Sequence, residues 1–150
     1  MYAPEAFRRR DRGALLALAS SYPFATVITC ADGLPTASHL PLLVDAEADR
    51  LRGHLARANP QCAHFAAGAG ALVVFHGPHG YVSPSVYEER PSVPTWNYVA
   101  VHARGASRAV DEAALRQILE DTVARFDPTG WRIEGGEDYL RSRLAAITAA

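Results

Sequence analysis

Phe24-Ala25-Thr26-Val27-Ile28-Thr29, then Asp32-Gly33, then an extended run from Thr36 to Val44, is the stretch from which the fold is read. A β-branched apolar run, a two-residue turn signal and a second extended run predict a β-hairpin. Upstream, Asp11 is placed to cap a short helix through Leu15, Leu16 and Leu18. That helix must end before Pro23, because the residue preceding a proline is pushed out of the helical region. Downstream, Leu51 to Ala56 reads as a third strand. Asn59-Pro60 reads as an N-cap followed by proline at the first helical position, and Gly68 is placed to stop a helix across Cys62 and Phe65.

Ala71-Leu72-Val73-Val74-Phe75 predicts a fourth, buried strand, and Tyr81-Val82 a fifth, interrupted by Ser83-Pro84-Ser85. Trp96 to Arg108 supplies a sixth. Asp111 then caps a run in which Leu115, Ile118, Leu119, Thr122, Val123 and Phe126 fall on one helical stripe. After a loop at Asp127-Pro128-Thr129-Gly130, the spacing of Leu140, Leu144 and Ile147 predicts a last amphipathic helix running to Ala150. Six short strands followed by two helices predict a mostly β fold, an antiparallel sheet curled into a small barrel with flanking helices.

A chain of 150 residues that is 49% hydrophobic suits one domain over residues 1–150. Fifteen basic against sixteen acidic residues leave a net charge of −1, so no global field draws the chain toward nucleic acid or an anionic membrane. No helix with a basic recognition face is apparent. Every basic residue is arginine, which leaves each cationic contact to a planar, permanently charged fork. Cys30 and Cys62 are too few for a disulfide framework. The charged N-terminal stretch through Arg12 and the lack of any membrane-length apolar run predict a cytoplasmic protein.

Enzyme signatures of the common kinds are absent, with no G-x-S-x-G, Walker A or H-E-x-x-H sequence. The informative residue is histidine, at positions 39, 54, 64, 76, 79 and 102. In Leu51-Arg52-Gly53-His54-Leu55-Ala56-Arg57-Ala58-Asn59-Pro60, strand alternation puts Arg52 and His54 on one face, and Gly53 permits close approach to the backbone. Arg57 stands just before a helix start. Together Arg52, Arg57 and Asn59 suit a phosphate or carboxylate, and equally suit a solvated surface with a plain helix cap. Phe75-His76-Gly77-Pro78-His79-Gly80-Tyr81-Val82-Ser83-Pro84 reads as a rigid pocket rim. His76 and His79 lack the Cys or carboxylate that would complete a zinc set. In Val93-Pro94-Thr95-Trp96-Asn97-Tyr98-Val99-Ala100-Val101-His102, Trp96 suits either stacking on a planar cofactor or core packing.

These three stretches, with Met1-Tyr2-Ala3-Pro4 and Ser38-His39-Leu40-Pro41, resemble the PaiB family of FMN-binding "negative transcriptional regulators" over nearly the whole chain. The resemblance implies a six-stranded split β-barrel and a homodimer with a planar cofactor at the subunit interface. PaiB proteins normally continue beyond the position of Ala150 through a Lys- and Asn-rich segment, and their loop between Ser85 and Thr95 is longer and carries lysine. Both departures resemble a haem-using branch, the piperazate synthases, which close an N–N bond in N5-hydroxyornithine. On that resemblance haem b is the expected cofactor, with FMN the alternative, and His54 is the expected axial ligand of the haem iron. Arg52, Arg57, Asn59, His39, Trp96, Asn97 and His79 are expected around the cofactor. Tyr81, Ser83 and Tyr98 are expected beside a small-molecule substrate.

Overall fold

The computed structural model describes residues 2–133 and 137–149. The hairpin forms as its sequence predicts: β1 (Phe24–Ala31) pairs antiparallel with β2 (Leu34–Pro41). Asp32 and Gly33 both adopt positive φ, 51° and 77°. That backbone matches the right-handed twist of two strands joined by two residues. Before it, α1 (Arg12–Ser21) is capped by Asp11, whose carboxylate accepts from the Ala14 amide at 3.0 Å.

The second extended run divides at Leu42, whose amide turns to donate to the Pro23 carbonyl at 2.9 Å. Past it, β3 (Leu43–Asp45) pairs with β4 (Arg50–Ala56). The helix α2 (Gln61–Ala66) starts one residue later than Asn59-Pro60 suggests, and the Asn59 side chain accepts from the Gln61 amide at 2.9 Å. Next comes β5 (Gly70–Val82), one long strand where the sequence predicts two. Its register against β6 (Thr95–Ala109) shifts between His76 and His79. A bulge at Gly77-Pro78 absorbs the proline, which has no N–H for the ladder.

The amphipathic stripe of α3 (Glu112–Phe126) buries Leu115, Ile118 and Leu119. The predicted last helix is only half right. It ends as α4 (Glu137–Arg143), and Leu144–Ala149 forms a strand, β7, between β4 and β6; Ala150 lies outside the described residues. Helical spacing of Leu140 and Ile147 misled because the two serve different cores. Leu140 packs with Leu115, Ile118 and Leu119, and Ile147 enters the barrel. Without β7, the β4 edge would carry a row of unpaired backbone groups.

Among the described residues, seven antiparallel strands in the order β2-β1-β5-β6-β7-β4-β3 therefore replace the expected six, within the expected class of mostly β with flanking helices. Inward faces of β1 and β5 contribute Ala25, Val27, Ala71, Val73 and Phe75 to the core, with Leu40, Leu55 and Phe65. Fully buried Gln61 ties α2 to the barrel, its Nε2 lying 3.1 Å from the Val27 carbonyl and 2.9 Å from the Thr29 hydroxyl. Among the described residues no helix is long and apolar enough to cross a membrane.

Candidate functional site

Because side chains alternate along a strand, the same pairing that buries Ala25, Val27 and Phe75 turns their neighbours outward. The register sets His39 opposite Thr26, Thr26 opposite Val74, and Val74 opposite His102. These four residues make one row across β2, β1, β5 and β6, three inter-strand spacings or roughly 14 Å wide. The next row in one direction runs Ala37, Ile28, Leu72 and Arg104. In the other direction His76 is paired with Ala100. Small residues at 37 and 100 keep this outer face flat.

The imidazoles on the platform are joined by a hydroxyl. Thr26 Oγ1 is hydrogen-bonded to His39 Nδ1 at 3.0 Å and lies 3.4 Å from His76 Nε2. The Phe24 ring stacks on His39 at a centroid separation of 6.4 Å. Burial lowers the pKa of His102, and the positive charges of Arg104 and His76 lower it further. Its Nδ1 is buried and has no hydrogen-bond partner. The chain itself covers this nitrogen, so it is turned away from the open side of the platform, and leaving it unpaired there costs stability.

Past the bulge, the platform continues as an aromatic corner. His79 is opposite Tyr98 and Tyr81 opposite Trp96. The Trp96 ring lies 6.1 Å from His79 and meets Tyr81 edge-on at 6.2 Å. Phe24, Tyr81, Trp96 and Tyr98 are each more than half exposed. Trp96 is thus no core residue, and a patch of this kind on a small β protein marks a binding surface. Asn97, between Trp96 and Tyr98, is turned to the opposite face by the two-residue period. Ser83 caps the turn at Pro84–Val86, accepting from the Ser85 amide at 3.2 Å.

His54 sits at the seam of the barrel. A Cβ on Gly53 would lie 2.6 Å from Leu42 Cδ2, 3.2 Å from Leu40 Cδ1 and 3.3 Å from the Pro41 carbonyl. The close approach that Gly53 permits is therefore the protein's own core, where the sequence suggested a ligand. His54, next along β4 and facing outward, stands where β4 meets the end of β2, the strand that carries His39. It is half-buried, burial lowers its pKa, and among the described residues its ring has no partner.

The expected anion site is not assembled. The Arg52 guanidinium donates to Asp121 of α3 at 2.7 Å. Burial pulls the Asp121 carboxyl up, but hydrogen bonds from Gln117 and Arg52 and the Arg52 charge outweigh it and hold the pKa low. Arg57 donates to the Leu144 carbonyl at 3.1 Å. Asn59 donates to the Ser38 hydroxyl at 2.9 Å while its oxygen holds the Gln61 amide. Each of the three residues has at least one partner within the chain, and those partners lie on different elements. Sequence reasoning missed Thr26, the bridge between two histidines, and Arg104; only the cross-strand register reveals either.

The family model described as "Putative FMN-binding domain" matches residues 1–150. The chain is 36% identical to the protein "Protease synthase and sporulation protein PAI 2" of Bacillus subtilis (strain 168) over 129 residues, 85% of this chain and 62% of that protein. It therefore spans about three fifths of that relative's length. The solved structure of "the FAD and Heme binding protein from Mycobacterium smegmatis" superposes with a TM-score of 0.76 at 25% identity, covering 95% of this chain and 67% of the other. The flavocytochrome Anf3 of Azotobacter vinelandii superposes with a TM-score of 0.75 at 18% identity, covering 95% and 64%.

Proposed function

From the premise that this chain belongs to the family described as "Putative FMN-binding domain", we propose that it is a cofactor-dependent enzyme that takes a planar ring on the outer face of β2, β1, β5 and β6. The observation that carries this is the row His39–Thr26–Val74–His102, a flat surface edged by imidazoles. A flat exposed face leaves one side of a ring uncovered. A second copy, applied through the same face, would complete the pocket and give an isologous homodimer.

The donor set favours haem b. Four imidazoles, at 39, 76, 79 and 102, lie on the platform and its aromatic corner, and His54 lies on β4 across the barrel seam from the end of β2, its ring without a partner among the described residues. Burial holds His54 and His102 largely neutral, the state in which imidazole binds iron. His54 is assigned as the axial ligand: its ring has no partner among the described residues, whereas His39 and His76 share the Thr26 hydroxyl, His64 is hydrogen-bonded to Thr29 at 2.7 Å and the chain itself covers Nδ1 of His102. The solved structure from Mycobacterium smegmatis, described as binding FAD and haem, shows that a protein of this fold takes haem as well as a flavin. FMN is the second reading, favoured by the family's description. For either cofactor Arg104, exposed on the row next to His102, would meet a carboxylate or phosphate arm.

The reaction is that of a piperazate synthase: N5-hydroxyornithine closes an N–N bond, its N–O bond breaks, and water leaves with no external electron donor. Bound haem would supply a Lewis-acidic centre for the hydroxylamine. Tyr81 and Tyr98, exposed beside His79 and Trp96, hold the substrate and give a proton to the departing oxygen. Trp96 shields one side of the site from water. The test is to incubate haem-loaded protein with N5-hydroxyornithine and follow mass. Loss of one water with formation of the cyclic hydrazine is expected. Unchanged substrate over a haem-loaded, folded protein overturns the reaction, and a protein that takes flavin and rejects haem moves it to the second reading.

A further inference from the structure

At the end of β6 remote from the aromatic corner, the outward faces of β4 and β6 converge on the start of α3. Arg52 of β4 and Arg108 of β6 are both paired with Thr148 of the intervening β7, so they flank one residue on one face of the sheet. Arg50 lies two positions before Arg52 on the same face. The three side chains line a groove of about 440 Å³ closed by Asp111, Ala114, Gln117 and Ile118.

What these arginines do within the chain leaves most of their donors over. Arg52 is fixed by Asp121 at 2.7 Å and comes within 4.0 Å of Asp45. Arg50 approaches Asp45 only to 3.6 Å. Arg108 is exposed and has no partner among the described residues. The Nε atoms of Arg50 and Arg52 are buried and make no hydrogen bond. Asp111, the one acid among the described residues lining the groove, is turned to cap α3, accepting from the Ala114 amide at 2.9 Å. A guanidinium offers five donors in a rigid fork, so the contacts with Asp45 and Asp121 leave terminal N–H groups of Arg50 and Arg52 over.

We propose that this groove is a binding site for a phosphate group, free or carried by a small metabolite, distinct from the cofactor platform. Asp121 and Asp45 set the guanidinium planes of Arg52 and Arg50, Arg108 closes the third side, and the first turn of α3 adds its dipole. A tetrahedral dianion can accept from all three arginines at once. Chloride cannot, and a monocarboxylate leaves one arginine unserved.

Inorganic phosphate titrated into the parent protein by calorimetry, at constant ionic strength held with chloride, is the direct test. Saturable binding with one site per chain is expected. Arg108→Ala, which breaks no internal contact, should weaken it at least tenfold, and Arg108→Lys should recover only part of the loss because lysine lacks the fork. A phosphorylated sugar and a nucleoside monophosphate, titrated next, separate the sources: tighter binding of either identifies a carried phosphate, and equal binding a free one. Absence of saturable phosphate binding in the parent, or equal binding in Arg108→Ala, overturns the proposal. Cofactor binding is read separately from the visible spectrum, so failure here leaves the platform reading untouched.

Discussion

The hydroxyl of Thr26 lies 3.0 Å from Nδ1 of His39, its directly opposed partner across β1 and β2. Through the same oxygen it reaches His76 Nε2 at 3.4 Å. One small residue thus fixes two imidazoles on neighbouring strands. Thr26→Val keeps the shape and removes both bonds. An exposed hydrogen bond is worth on the order of 1 kcal/mol, so the melting temperature should move by only a few degrees. Cofactor affinity should fall severalfold as the rings lose their orientation. Equal affinity in Thr26→Val, measured by absorption titration, would take the bridge out of the site.

Gly53→Ala should destabilise the cofactor-free protein by about 1–3 kcal/mol, the usual range for overpacking a core. The new Cβ would meet Leu42 at 2.6 Å and the Pro41 carbonyl at 3.3 Å, and backbone cannot rotate away. Urea denaturation of the apo protein measures this directly. A variant as stable as the parent would mean the seam is looser than the described packing.

Stability should depend on pH through His54 and His102. Burial lowers the first below its ordinary 6.5, and burial with neighbouring positive charge lowers the second. As pH falls the unfolded chain takes up these protons before the folded one does. The stabilisation is therefore complete above about pH 6.5 and is lost as pH falls through the lower folded-state values. Thermal midpoints recorded from about pH 7.5 down to about pH 5 should decline, and less steeply in His54→Asn. An identical profile in that variant would show that His54 titrates as it does in the unfolded chain.

Which parts of this were readable from residues alone follows from the range of the forces involved. The β1–β2 hairpin and α3 are set by local rules, a two-residue turn and a 3.6-residue stripe, and both were readable. The strand at Leu144–Ala149 was not, because Leu144 and Ile147 continue the helical spacing from Leu140 and only the open edge of β4 decides otherwise. At the site, His39, His79, Tyr81, Trp96 and Tyr98 were identifiable as chemical types. Their shared face depends on register and on the bulge at Gly77-Pro78, a tertiary property. The Arg52–Arg57–Asn59 cluster was misread for the same reason: Asp121, the partner of Arg52, lies 69 positions along the chain.

Arg104 gives a separate handle on how the cofactor is oriented. It is exposed, and the two acids at the adjacent barrel mouth are already engaged, Asp49 with Arg12 and Asp45 with Arg50. Arg104→Ala should weaken haem at least fivefold while leaving haem dimethyl ester, which lacks the anionic arms, unaffected. FMN and riboflavin make the equivalent pair for the flavin reading. Parallel losses for the charged and uncharged forms would show that Arg104 acts on the ring or on folding instead.

The central claim is that the imidazole-edged platform holds haem. The measurement that bears on it most directly is the visible absorption spectrum of the protein titrated with haem, in the parent and in His54→Ala. The parent should develop a sharp Soret band that saturates at stoichiometric haem, and His54→Ala, still folded by circular dichroism, should lose or strongly weaken it. A parent that shows no Soret band, or that instead retains a flavin spectrum released intact on denaturation, would contradict the account.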